Sequence, residues 1–250
     1  FADSCKDAVA QADFVQENGP EEIGLKRTLL VEIASIAPSD VVIASSTSGL
    51  LMTDLQQGCR APARLVVGHP FNPVYLMPLV EVVGGEQTSS NAISWLCTFY
   101  RGLGKKPVRC KSETVGFIAN RFQEAVFREA LHMIEADEAT VEQIDDVVRF
   151  GPGLRWAFMG PFLTYHLAGG HGGMRAFFEN FGHTLQMPYS RMAAPPMSEE
   201  LIANVIRGCE EAYGQYDLTE LDEWRDRNIQ TLTSQLQSLT ELCFLIEESV

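Results

Sequence analysis

Several absences narrow the field before any motif is read. No apolar run approaches the ~20 residues that a membrane-spanning helix requires, and no leader-like pattern shows in the opening residues. There is no CxxC pair and no Cys/His cluster at zinc spacing; Cys5, Cys59, Cys97, Cys110, Cys209 and Cys243 are scattered. Scattered cysteines predict free thiols in a reducing compartment, hence a cytoplasmic location. Positive charge is scarce too. Lys and Arg number 19 against 33 Asp and Glu, a net charge of −14. Such a chain repels phosphate backbones and anionic bilayers, so nucleic acid and membranes are not its expected partners. Repeats and low-complexity tracts are missing as well. What is present is a 250-residue chain, 46% hydrophobic, with room for one large or two smaller cores.

A further absence is the dinucleotide fingerprint GxGxxG placed between a strand and a helix. Gly102-Leu103-Gly104, Gly151-Pro152-Gly153 and Gly169-Gly170-His171-Gly172-Gly173 are glycine-rich, but none completes that pattern. The first reads as a helix C-cap and the others as turns between helices. His166 and His171 are five apart rather than at the i,i+4 spacing of a helical metal pair, so no metal is expected. His132 and His183 read as surface or satisfied core residues.

Short β-branched strands alternate with helical patterns up to residue 111. Strands are predicted within 12–17, 41–45, 64–68, 79–83 and 107–110, with helices over 3–11, 21–36, from about 52, and over 90–101. Strands alternating with helices indicate helices packed on a largely parallel sheet. After Lys111 helical patterns take over, at 115–136, 140–150, 161–181, 198–213 and 218–240, with a Gly/Pro-rich junction at 151–160. The expected organisation is an incomplete Rossmann-type α/β domain, mainly parallel, over 1–111, followed by an all-helical domain for substrate binding and dimerisation over 112–250.

The stretch around which this organisation turns is Gly68-His69-Pro70-Phe71-Asn72-Pro73 followed by Leu79-Val80-Glu81-Val82-Val83. An apolar strand delivers His69 to its end, and a second carries one acid in its middle. A carboxylate in a buried strand costs several kcal/mol without a partner. Two readings satisfy Glu81. It pairs with the His69 imidazole and fixes the tautomer and orientation of a general base. Alternatively it is met by backbone amides, with His69 only a polar cap. The hydroxyls of Ser46-Thr47-Ser48 follow a strand end, where capping the next helix is their default.

Taken in order, Ile43-Ala44-Ser45-Ser46-Thr47-Ser48, the His69/Glu81 segment and Gly116-Phe117-Ile118-Ala119-Asn120-Arg121 resemble the 3-hydroxyacyl-CoA dehydrogenase superfamily over most of the chain. The resemblance implies NAD as cofactor and a homodimer. It also implies His69 as catalytic base, Glu81 as its orienting partner, and Ser48 and Asn120 at the reacting oxygen. Glu17 and Ser46 are placed on the cofactor side, Glu17 beside the nicotinamide ribose. The family's first strand, glycine turn and adenine-ribose acid lie before Glu17 and are not in these 250 residues, so this stretch alone is not expected to hold the dinucleotide. The segment from Gly151 to Phe162 departs from the acyl-CoA branch by an Arg-aromatic-Ala-Phe insert, typical of relatives acting on small free hydroxy acids. A free 3-hydroxy acid with a carboxylate and a quaternary ammonium group calls for one bidentate cation and an aromatic wall. Arg155, Trp156, Phe158 and Tyr165 are the candidates, although aromatics at helical spacing are usually core. A 3-hydroxyacyl-CoA dehydrogenase, a gulonate-type enzyme and a non-catalytic scaffold relative remain as alternatives.

Overall fold

The computed structural model describes residues 2–157, 159–187, 190, 198–201, 215, 220, 223 and 226–235. The chain divides into two compact units, residues 1–123 and 124–250.

In the first unit, strands β1 (Val15–Glu17), β2 (Ile43–Ser45), β3 (Leu65–Pro70), β4 (Leu79–Gly84) and β5 (Lys106–Arg109) form one sheet in the order β1-β2-β3-β4-β5. β1–β2, β2–β3 and β4–β5 are parallel, and β3–β4 is antiparallel. Helices α1 (Cys5–Val9), α2 (Ile23–Ile36), α3 (Met52–Leu55) and α4 (Ser90–Gly102) complete the unit.

The near-continuous apolar runs of β2 and β3 are explained by cover on both faces. Ile43, Leu65, Val67 and Val83 point to one side, with Leu30 and Ile33 of α2 and Met52 and Leu55 of α3. Val42, Ala44, Val66, Val80 and Val82 point to the other, with Ala92, Leu96 and Tyr100 of α4. Each fully buried aliphatic side chain contributes about 1.5–3 kcal/mol. Helix α4 starts on Ser89, whose hydroxyl accepts from the Ala92 amide, and Gly104 leaves it at φ +74°. Gly102-Leu103-Gly104 is therefore a helix end, as its sequence reads.

Three polar devices hold this core in register. The Arg64 guanidinium gathers carbonyls where α2 ends: Ala34 at 2.5 Å, Ala37 at 3.3 Å, Val41 at 3.3 Å, and Pro38. Gln56 donates to the Pro62 carbonyl and Thr88 Oγ1, each at 2.9 Å. Lys26, 2% exposed, donates to both Glu17 oxygens at 3.0 and 3.1 Å and to the Gly19 carbonyl at 2.9 Å.

Helix α5 (Ala119–Glu135) runs out of the first unit. The second unit continues with α6 (Val141–Phe150), α7 (Pro152–Trp156), α8 (Pro161–Ala168) and α9 (Gly173–Phe181). A capping box between Thr140 and Gln143 starts α6. The helical pattern over 161–181 breaks into α8 and α9 because Gly170 and Gly173 take φ +58° and +57°, which a helix does not accommodate. Residues 199–201, 220, 223 and 226–235 are helical. The rest of the expected helices 198–213 and 218–240 lies outside the described residues. Among the described residues no helix is long and apolar enough to cross a membrane, and no cluster of three ligating side chains offers a metal site.

Candidate active site

Antiparallel pairing of β3 with β4 brings together residues twelve apart in sequence: His69 and Glu81 are direct cross-strand partners. Both side chains are buried, His69 at 5% and Glu81 at 1% exposure. Nδ1 of His69 lies 3.0 Å from Oε2 of Glu81. The other carboxylate oxygen, Oε1, accepts from the amides of Ile118 at 2.8 Å and Ala119 at 3.0 Å. Those amides open α5, where a negative charge is favoured by the helix dipole. Glu81 thus has both kinds of partner, the imidazole on one oxygen and backbone amides on the other. Burial pushes its carboxyl pKa up, but the His69 hydrogen bond, the two amides and the charge of a protonated ring outweigh it. The net shift is below the ordinary carboxylate value.

Nε2 of His69 makes no hydrogen bond among the described residues, yet it is not among the sealed, unpartnered polar atoms, of which Arg64 Nε is the one described. With the proton of a neutral ring held on Nδ1 toward the Glu81 carboxylate, the lone pair falls on Nε2. Phe117 packs its ring 5.4 Å from the imidazole, centroid to centroid, and is 1% exposed. It does so from a left-handed backbone, φ +50°, directly after Gly116 at φ +74°. That double turn aims the Ile118 and Ala119 amides at Glu81.

The serine turn after β2 is held by an acid that no sequence motif marked. Glu21 Oε1 accepts from Thr47 Oγ1 at 2.6 Å, the Ser48 amide at 2.8 Å and the Gly49 amide at 3.2 Å. Its second oxygen lies 3.6 Å from Lys26 Nζ, and the side chain is 44% exposed. Ser48 is exposed, and its hydroxyl makes no hydrogen bond among the described residues. The Asn120 amide donates to the Ser48 carbonyl at 2.8 Å. His69, Glu81, Ser48 and Asn120 are therefore tied into one frame by hydrogen bonds.

Two cofactor-side expectations meet a different arrangement. Glu17 does not present a free carboxylate. It is 2% exposed, with both oxygens on Lys26, one on Ser45 Oγ at 2.6 Å and the other also on the Gly19 amide. A carboxylate so buried is stable only when saturated in this way, which leaves it no lone pair for a ribose. Ser46 is likewise engaged, donating to Asn18 Oδ1 at 2.6 Å and accepting from Gln16 Nε2 at 2.7 Å. The half-exposed acid at this turn is Glu21. The family resemblance named Glu17, and nothing in the sequence around it marks Lys26, Ser45 and the Gly19 amide as its partners.

In the second unit Arg155 is exposed, Trp156 is 48% exposed and Tyr165 46%. The Tyr165 ring packs 4.8 Å from Phe177. Phe158 lies outside the described residues.

The carboxyl ends of parallel strands β1, β2 and β3 lie side by side, which is where doubly wound sheets take their ligands. Exposed Ser48 and half-exposed Glu21 follow the ends of β2 and β1, and His69 lies near the end of β3. Residues 1–114 match the NAD-binding domain of 3-hydroxyacyl-CoA dehydrogenase and residues 116–217 match its C-terminal domain. The chain belongs to the 3-hydroxyacyl-CoA dehydrogenase family.

Within it, the chain is 52% identical over 227 residues to L-carnitine dehydrogenase of Streptomyces coelicolor, covering 91% of this chain and 71% of that protein. It is 49% identical over 226 residues to L-carnitine dehydrogenase of Pseudomonas aeruginosa, covering 90% and 70%. Among solved structures it resembles FHMPC 5-dehydrogenase, an NAD+-dependent dismutase, at 27% identity and TM-score 0.80, covering 95% of this chain and 77% of that one. Mycobacterium tuberculosis FadB2 follows at 28% identity and TM-score 0.60, covering 83% and 70%.

Proposed function

We propose that the protein oxidises the 3-hydroxyl of L-carnitine to give 3-dehydrocarnitine, with NAD as cofactor. Bound NAD supplies the acceptor for the hydride that leaves the carbinol carbon. Nε2 of His69 takes the hydroxyl proton, and Glu81 stabilises the imidazolium through Nδ1. Ser48 and the Asn120 amide hydrogen-bond the oxygen as it becomes a carbonyl. Glu21, in place of Glu17, stands beside the nicotinamide ribose. The observation that carries the reaction type is the His69 ring, tied through Nδ1 to a buried carboxylate and bare at Nε2. The choice of substrate rests on the half-identical relatives and on the cation and rings at Arg155, Trp156 and Tyr165, with Phe158 added from sequence. A trimethylammonium group donates no hydrogen bonds and is held by aromatic faces, while a planar guanidinium suits the carboxylate.

The enzyme is a homodimer in this reading. Phe122, Phe127, Val147, Phe150 and Phe162 are exposed apolar side chains that a second copy would cover. It works in the cytoplasm, in keeping with the free Cys5, Cys59, Cys97 and Cys110. The substrate assignment is tested in the full-length enzyme by NADH formation from NAD with L-carnitine, a 3-hydroxyacyl-CoA and a gulonate-type sugar acid in parallel. Turnover with L-carnitine alone is expected. Comparable rates with the acyl-CoA, or none with L-carnitine, defeat the assignment.

A further inference from the structure

Gln16 is a polar side chain on the α4-facing side of the sheet, a face otherwise built from Val42, Ala44, Val66, Val80 and Val82. It is the middle residue of β1 and lies opposite Ala44 of β2. The small Ala44 side chain lets the glutamine amide cross β2 and reach the next strand. There Nε2 donates to the Gly68 carbonyl at 3.0 Å and to Ser46 Oγ at 2.7 Å. Its Oε1 accepts from the hydroxyl of Tyr100 on α4 at 2.5 Å.

The placement of these bonds is specific. Ser45↔Val67 is the last pair of the β2–β3 ladder, so the Gly68 carbonyl lies just beyond it, and Gln16 supplies a donor there. Gly68 immediately precedes His69. The Tyr100 ring lies so close over Gly68 that any side chain at that position would collide with it. Tyr100 therefore presses on the Gly68 backbone from α4 while Gln16 holds its carbonyl from β1. Burial raises the Tyr100 hydroxyl well above its ordinary pKa, so it stays a donor toward Gln16. The second Gln16 bond fixes Ser46, and Ser46 in turn donates to Asn18 at 2.6 Å. One amide thus ties the peptide entering His69 to the turn that carries Ser48.

We infer that Gln16, oriented by Tyr100, is a positioning residue for the reaction: it sets the His69 ring against the Ser46–Ser48 turn without touching substrate. The inference rests on the proposed role of His69 as base. Displacements well under 1 Å at a reacting group cost rate, and ~1 Å costs on the order of 100-fold. Loss of Gln16 should show in kcat and leave ground-state binding largely alone.

The test compares wild type with Gln16→Met, which keeps side-chain length and removes the amide, and Tyr100→Phe, which removes one hydroxyl. In full-length enzyme, kcat for L-carnitine should fall about 10-fold in Gln16→Met and about threefold in Tyr100→Phe. KM for L-carnitine and NAD should stay within about twofold. The double variant should be no slower than Gln16→Met, since the hydroxyl acts only through the amide. NMR of the His69 ring, which needs no turnover, should show its nitrogen resonances displaced in Gln16→Met. Unchanged kcat together with unmoved ring resonances in Gln16→Met overturns the inference. If Gln16→Met does not fold, Tyr100→Phe decides by the same two readouts. Inactivity of wild type on L-carnitine would refute the proposed function instead, while the ring resonances would still report on the clamp.

Discussion

At the residue scale, one carboxylate does two jobs. Glu81 gives one oxygen to the His69 ring and the other to the amides that begin α5. Its depressed pKa fixes the sign of a pH effect. A carboxyl lowered on folding contributes stability that is complete above its unfolded value, about 4.3, and is lost as pH falls through the folded value. The stability difference between wild type and Glu81→Gln should therefore be flat above about pH 4.3 and shrink below it in urea titrations across pH. Glu81→Gln should fold better than Glu81→Leu, because its amide still bonds one side. It should nevertheless lose about 10-fold or more in kcat, since an amide NH2 facing Nδ1 forces the ring proton onto Nε2, where the base is needed. Cys110 lies in the same neighbourhood. Burial first, and the Glu81 charge second, push its thiol up to about 11. At pH 8 its alkylation should be far slower than that of a free thiol, and a rate equal to glutathione's would contradict the raised pKa of this partly buried thiol.

At the scale of elements, the frame depends on helix ends. Arg64 closes the C-terminus of α2, and Glu81 closes the start of α5. Arg64→Met should lower stability by about 2–3 kcal/mol, because several carbonyls lose a charged donor inside the protein. Urea unfolding should show this as a lower midpoint with an unchanged slope. Elements were legible from sequence where periodicity was long. The apolar runs at 64–68 and 79–83 and the helix at 90–101 appear as β3, β4 and α4 with small shifts at the ends. The antiparallel turn from β3 to β4 was not legible, because an apolar strand buried on both faces carries no mark of direction. The helix pattern at 161–181 ignored glycines that need positive φ. For Glu81 a lone acid in a buried strand showed that a partner was needed but not whether it was His69 or backbone amides, and the family resemblance favoured His69. Glu21 was not legible, since its task is to accept from backbone amides of a turn 26 to 28 residues away. Backbone donors have no sequence signature.

For the whole molecule, the family assignment covers both units, with matches over residues 1–114 and 116–217. A dimer predicts a sedimentation mass of two chains at micromolar concentration; a stable monomer would contradict that assembly. Arg155→Ala should raise KM for L-carnitine about 10-fold or more with kcat nearly kept, as loss of a bidentate carboxylate contact should. In the proposed reaction the proton leaves the substrate through His69. Steady-state turnover of L-carnitine by His69→Ala beside wild type measures this most directly. In the full-length enzyme kcat should fall about 100-fold or more with NAD affinity little changed. Near-normal turnover in His69→Ala would remove the histidine–glutamate pair from the mechanism.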